Sequence, residues 1–135
     1  MVRSIILTLA AVAACVGFFI FVEWYISSEF GTVYEAVDAL YEKVEEGKAT
    51  SEDANAVRAL WADKRSKLHI FIPHNDIAYV DYRLNEAYSY VYTGNYPLAL
   101  ANLEIVRRIT ETLPDNYKLK LENIDKKIVL VTCGS

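Results

Sequence analysis

The chain contains two histidines, and both fall in one stretch, LHIFIPHNDIAYVDYRL at residues 68–84, with an aspartate just beyond them. His69, His74 and Asp76 are the residue types from which metal sites and proton-transfer sites are built, since imidazole and carboxylate both ligate divalent metals and exchange protons. Their spacing argues against either use. Two ligands on one helix face stand four residues apart, whereas His69 and His74 stand five apart with Pro73 between them. A mononuclear zinc site takes three or four ligands, and the chain supplies no third histidine and no cysteine pair at metal spacing. The plainer expectation is a corner: Pro73 ends one helix, and His74, Asn75 or Asp76 caps the next, with a carboxylate near its positive end. His69 then flanks the corner, partly exposed.

Tyrosine is the other unusual supply. Of ten in the chain, Tyr79, Tyr82, Tyr88, Tyr90, Tyr92 and Tyr96 crowd together, and a single helix cannot turn them all inward. Tyr88 falls on the apolar stripe and is expected in the core. Tyr79, Tyr82 and Tyr90 are candidates for an aromatic groove, because tyrosine buries a large area at little entropic cost and is favoured at interfaces. Further chemistry is not encoded in recognisable form: there is no nucleophile elbow and no phosphate loop. The expectation is a protein that is not an enzyme, with no catalytic residue, metal or cofactor, and with His74, Asp76, Tyr79 and Tyr82 as interaction candidates.

The elements that position these residues begin with an apolar run. From Ile5 to Val22 no residue is charged, and roughly 18 such residues, extended by Trp24, Tyr25 and Ile26, suffice to cross the hydrocarbon core as a helix. Two processing alternatives exist: a secretory signal using Ala11, Ala13 and Ala14, or a lipoprotein signal with Cys15 as the lipidated residue. Either cut would leave GFFIFVEWYI as an apolar start to the mature chain, so an uncleaved anchor is preferred, with the lipid bilayer as partner through residues 5–26. Arg3 precedes the run and no Lys or Arg follows it before Lys43, which places the N-terminus inside and the remainder outside the cell membrane. Trp24 and Tyr25 then occupy the interfacial aromatic belt. A net charge of −4 and the lack of a basic face beyond Lys64, Arg65 and Lys67 exclude a general nucleic-acid binder. Cys15 in the run and Cys133 near the end are expected to be unpaired.

Four helices follow from periodicity. Phe30, Val33, Tyr34, Val37, Leu40, Tyr41 and Val44 recur at helical spacing opposite Glu35, Asp38, Glu42, Glu45 and Glu46, with a break expected near Ser27-Ser28 or Gly31 and an end at Gly47. Thr50 or Ser51 caps a second helix carrying Ala54, Val57, Leu60, Trp61, Leu68, Phe71 and Ile72, a strand over HIFI being the alternative. The third presents Ile77, Val80, Leu84, Ala87, Tyr88 and Val91 and closes at Gly94-Asn95. The fourth opens with Pro97 in its first turn, presents Leu98, Ala99, Leu103, Val106, Ile109 and Leu113, and is expected to stop at Pro114. A short turn over 118–124 and an apolar tail complete the chain. The organisation expected is all-α: an anchor over 1–26, a bundle of two antiparallel helix pairs over 27–125 with a weak tetratricopeptide-like spacing, and a tail over 126–135.

The N-terminal anchor, Trp61, the junction Ile72-Pro73-His74-Asn75-Asp76-Ile77, and Leu113-Pro114 followed by Leu121-Glu122-Asn123-Ile124 together resemble an uncharacterised family of small membrane-anchored helical proteins from Gram-positive, largely clostridial bacteria. The resemblance runs from the anchor to about Ile124, and Asp76 keeps an acidic position usual in that pattern. As a domain of unknown function, the family implies a membrane-anchored helical domain and no activity, cofactor or catalytic residue. The function expected is a protein- or envelope-interaction module with an unknown protein partner. A metal-dependent or His74-dependent hydrolase and a lipid- or solute-binding module are the competing classes.

Overall fold

The computed structural model describes residues 1–133, without the side chains of 117–129, 131 and 132. It consists of α1 (Val2–Glu45), α2 (Ser51–Leu68), α3 (His74–Tyr92) and α4 (Tyr96–Cys133), and no strand occurs among the described residues. The HIFI stretch is a turn, closed by the Phe71 and Ile72 amides donating to the Leu68 carbonyl, both at 3.0 Å.

Burial follows an alternation of three and four, with Tyr88 and Asn102 buried beside it. In α1 the buried residues are Ile26, Phe30, Val33, Val37, Leu40 and Val44. In α2 they are Ala54, Val57, Trp61 and Leu68, with the half-buried Lys64 completing the series. Ile77, Val80, Leu84, Ala87 and Val91 continue it in α3, and Ala99, Leu103, Val106 and Thr110 in α4. This is a seven-residue repeat, the narrow seam by which helices pack nearly parallel or antiparallel in bundles.

Contacts between helices show the direction. Lys43 meets Asp53 while Glu29 meets Lys64, so α2 descends as α1 rises. Trp61 meets Asp81 and Tyr92 meets Asn55, so α3 rises again. Arg107 meets Asp38 while Tyr96 meets Ala49, so α4 descends beside α1. Each helix packs on two neighbours: α1 on α2 and α4, α3 on α2 and α4. The core is the apolar centre of this ring.

Both upper turns use one device. The Gly47 amide donates to Val44 and the Lys48 amide to Lys43, at 3.0 and 2.9 Å. Gly94 and Asn95 repeat this on Val91 and Tyr90 at 3.2 and 2.8 Å. Gly47 and Gly94 adopt φ of 72° and 74°, the left-handed conformation that ends such helices. The Tyr96 hydroxyl donates to the Ala49 carbonyl at 3.0 Å and ties the two turns together. Thr50 caps α2 in a full capping box with Asp53, as its sequence position predicts.

Two expected breaks are bridged. α1 runs unbroken through Ser27, Ser28 and Gly31. Ile26, Phe30 and Val33 are buried on one side of that segment. Their packing outweighs the roughly 1 kcal/mol that a helical glycine costs. α4 likewise continues through Pro114 to Cys133. Proline removes one amide donor, leaving the Thr110 carbonyl without its usual partner, but its own φ is helical. Leu113, packed against the core, holds the helix on course just before it. Within α4 the expected stripe also shifts: Leu98 is exposed, and Asn102 and Thr110 are buried instead. Each of these two polar side chains donates back to a carbonyl one turn earlier, Leu98 and Val106, at 3.1 and 3.0 Å, which makes its burial tolerable.

Candidate functional site

The α2–α3 corner brings the two histidines together. Their rings stack with centroids 5.3 Å apart, and His74 Nδ1 lies 3.3 Å from His69 Nε2. Both residues are exposed. The expected side-chain cap is not formed: Pro73 occupies the cap position, with φ −55° and ψ 141°, and α3 starts at His74 with no side-chain hydrogen bond at its cap. Proline has already fixed the entry geometry, and its carbonyl receives the Asp76 and Ile77 amides at 3.1 and 3.4 Å. Asp76 does lie in the first turn, where a carboxylate is favoured by the helix dipole. Two imidazoles 3.3 Å apart are a partial ligand set. No group of three or more His, Cys, Asp or Glu suited to a metal ion occurs among the described residues.

Tyr79 and Tyr82 both stand on the outer face of α3, 46% and 62% exposed. Arg83 lies over the Tyr79 ring, 5.4 Å from its centroid. Tyr88 is in the core as expected. Its buried hydroxyl meets no hydrogen-bond partner among the described residues, and burial pushes its pKa up. Tyr90 packs against the core rather than joining a groove, and the Tyr92 hydroxyl bonds to Asn55. The aromatic surface therefore reduces to Tyr79 and Tyr82. A shallow groove of about 280 Å³ lies elsewhere, between α1 and α2, where Ala36, Ala39 and Ala56 leave room above Leu40 and Val57.

Two polar contacts went unanticipated. Trp61 Nε1 donates to Asp81 Oδ1 at 3.1 Å, and Arg65 holds the other carboxylate oxygen at 3.1 Å, locking α2 to α3. A buried indole needs an acceptor, so Trp61 on an apolar stripe was the available signal. Lys64 Nζ lies 2.8 Å from Glu29 Oε2, with only 15% and 14% of the two side chains exposed. This is an ion pair at hydrogen-bond distance. The Glu29 contact holds the Lys64 pKa above its ordinary value.

One helix among the described residues, α1, is long and apolar enough to cross a membrane, and its apolar window is not buried by the rest of the protein. Every residue from 1 to 21 is exposed. Cys15 and Cys133 are both free and exposed. No curated protein and no solved structure matches the chain. A family model does, over residues 20–124, so that the match takes in the end of the apolar run, the whole helical ring and the α2–α3 corner: the chain belongs to the DUF4363 family, a domain of unknown function.

Proposed function

We propose that the protein is a single-pass membrane protein of the cell membrane, N-terminus inside, whose outer helical bundle acts as a non-enzymatic module that engages another protein or an envelope component. The observation that carries this reading is the division of α1: residues 5–21 are uncharged and uncovered, while the same helix from Ile26 onward buries one face against α2 and α4. A surface of that kind has no stable place in water, and lipid is the solvent that fits it. Tyr79 and Tyr82, with Arg83 beside them, supply the exposed aromatic surface for a protein partner.

The test has two parts. Full-length protein carrying Lys48→Cys in a Cys15→Ser, Cys133→Ser background is treated with a membrane-impermeant maleimide on intact cells. Labelling is expected; labelling only after lysis reverses the orientation. A photo-crosslinking residue at Tyr82 is then expected to give one discrete adduct that the same residue at Glu52, exposed on α2, does not give. Equal and diffuse adducts at both positions would remove the aromatic surface from the proposal.

A further inference from the structure

The two ends of the bundle differ in kind. At the end far from the apolar run, the exposed turn residues are Glu46, Gly47 and Lys48 between α1 and α2, and Thr93, Gly94 and Asn95 between α3 and α4. They are charged, polar or glycine, as a turn in water should be. At the other end the chain turns through His69-Ile70-Phe71-Ile72. Ile72 is buried, Phe71 is half-buried, and Ile70 is 79% exposed at the outermost point of the turn.

The level of this corner along α1 is given by its contacts. Phe71 packs edge-on against Tyr25, with ring centroids 5.9 Å apart, and Lys64 meets Glu29 one turn further into the bundle. At 1.5 Å per residue, Tyr25 stands about 4.5 Å beyond Val22, the last residue of the uncharged run. The corner therefore lies within one helical turn of the apolar run, at the height of Trp24, which is itself 64% exposed. A lone exposed isoleucine is unremarkable on a protein surface. An exposed isoleucine at the level where a spanning helix leaves the membrane, on the only apolar turn of the described bundle, has a specific neighbour.

Resting on the reading of α1 as a membrane anchor, we propose that the α2–α3 corner is a second lipid contact: Ile70 enters the bilayer interface, with Phe71 bracing it against Tyr25. The paired rings of His69 and His74 close the corner across Pro73 and leave Ile70 pointing away from the bundle. Arg65 and Lys67, about half exposed in the last turn of α2, are paired with Asp81 and Asp63 at 3.1 and 3.2 Å, so the lipid contact rests on Ile70 rather than on free cations. The bundle is then seated on the membrane at two points, the anchor and the corner.

The experiment uses full-length protein in vesicles of phosphatidylcholine and phosphatidylglycerol, with a small environment-sensitive fluorophore on a single cysteine. Native Cys15 in a Cys133→Ser chain reports the span. Ile70→Cys and Lys48→Cys, each in a background lacking both native cysteines, report the corner and the far turn, with far-UV circular dichroism confirming equal helicity. Lipids bearing a nitroxide near the headgroup are expected to quench the label at position 70 several-fold more than the label at 48. Quenching by tail-labelled lipid at Cys15, with position 70 no more quenched than 48, would overturn the corner contact and leave the anchor standing. No quenching at Cys15 would overturn the anchor reading and this proposal with it. A blue-shifted but unquenched label at 70 would show that another protein surface, not lipid, covers the corner, and would also overturn it.

Discussion

Residues 2–21 and residues 26–44 of α1 share one helix axis but arrange their apolar side chains by opposite rules. In the first segment apolar residues face every direction and none is covered. In the second they keep to a seam, Ile26, Phe30, Val33, Val37, Leu40 and Val44, with acidic residues on the other side. A uniform apolar surface specifies a solvent, whereas a periodic one specifies a neighbour and the angle at which it packs. The change from one rule to the other occurs within about four residues, around Glu23 to Ile26, without any change in the backbone. Membership of the family follows the same division, since its match begins at residue 20 and so takes in the seam and only the end of the uniform run.

The sharpest way to break this comparison is to delete equivalent side chains from the two segments. Phe30→Ala empties a fully buried site and is expected to cost about 3–5 kcal/mol of bundle stability. Phe19→Ala, on the uncovered segment, is expected to change it by less than about 0.5 kcal/mol. Denaturant unfolding of both variants in detergent micelles, followed by the near-ultraviolet signal of Trp61, measures the difference; equal losses would show that the two segments fold as one unit.

A smaller effect tests the one charged residue on the seam. Lys64 holds a position that the repeat would otherwise fill with an apolar side chain, and its removal leaves the Glu29 carboxylate half-buried with no partner. Lys64→Ala is expected to cost about 2 kcal/mol, a value reduced from that of a fully buried pair because both side chains retain some solvent contact. The double replacement Lys64→Met with Glu29→Met is expected to be near neutral or stabilising, since the desolvation cost leaves with the pair. A double variant as unstable as Lys64→Ala would show that the pair itself, and not the orphaned carboxylate, supports the fold.

The smallest effect is confined to acid. The Lys43 ammonium, at 2.7 Å, together with the backbone amide and hydroxyl of Thr50, holds the Asp53 pKa down at about 2 from an ordinary 3.8. The unfolded chain therefore takes up a proton at this site before the folded one does. The stabilisation is complete above about pH 4 and is lost as the pH falls through about 2. Asp53→Asn is expected to flatten that part of the stability profile and to leave the far segment of α1 unaffected. An unchanged slope would place the acid sensitivity elsewhere.

Much of this architecture could be read from residue spacing. The seams of α1 and α3, the two glycine turns and the Thr50 cap are local, and their signals lie within a few residues of the structure they produce. The failures share a different cause. Ser27-Ser28, Gly31 and Pro114 are local breakers overruled by packing from distant helices, which no short window contains. Leu98 gave way to Asn102 and Thr110 because those two satisfy their polar groups within their own helix and can be buried cheaply. The corner between two helices is legible at Pro73, but the proline itself takes the cap position, so no side chain is hydrogen-bonded at the cap. That His69 and His74 face each other depends on how the turn closes, and their separation of five residues does not foretell it.

The unbroken course of α1 makes the molecule a lever. A 20-residue arm from Ile26 to Glu45 is about 30 Å long, so a tilt of about 20° in the membrane would carry its far end sideways by about 10 Å. With no joint at Ser27-Ser28 to absorb that swing, any reorientation of the proposed anchor in lipid would be delivered at full angle to the surface that carries Tyr79 and Tyr82, and a partner on that proposed surface would pull on the anchor in return.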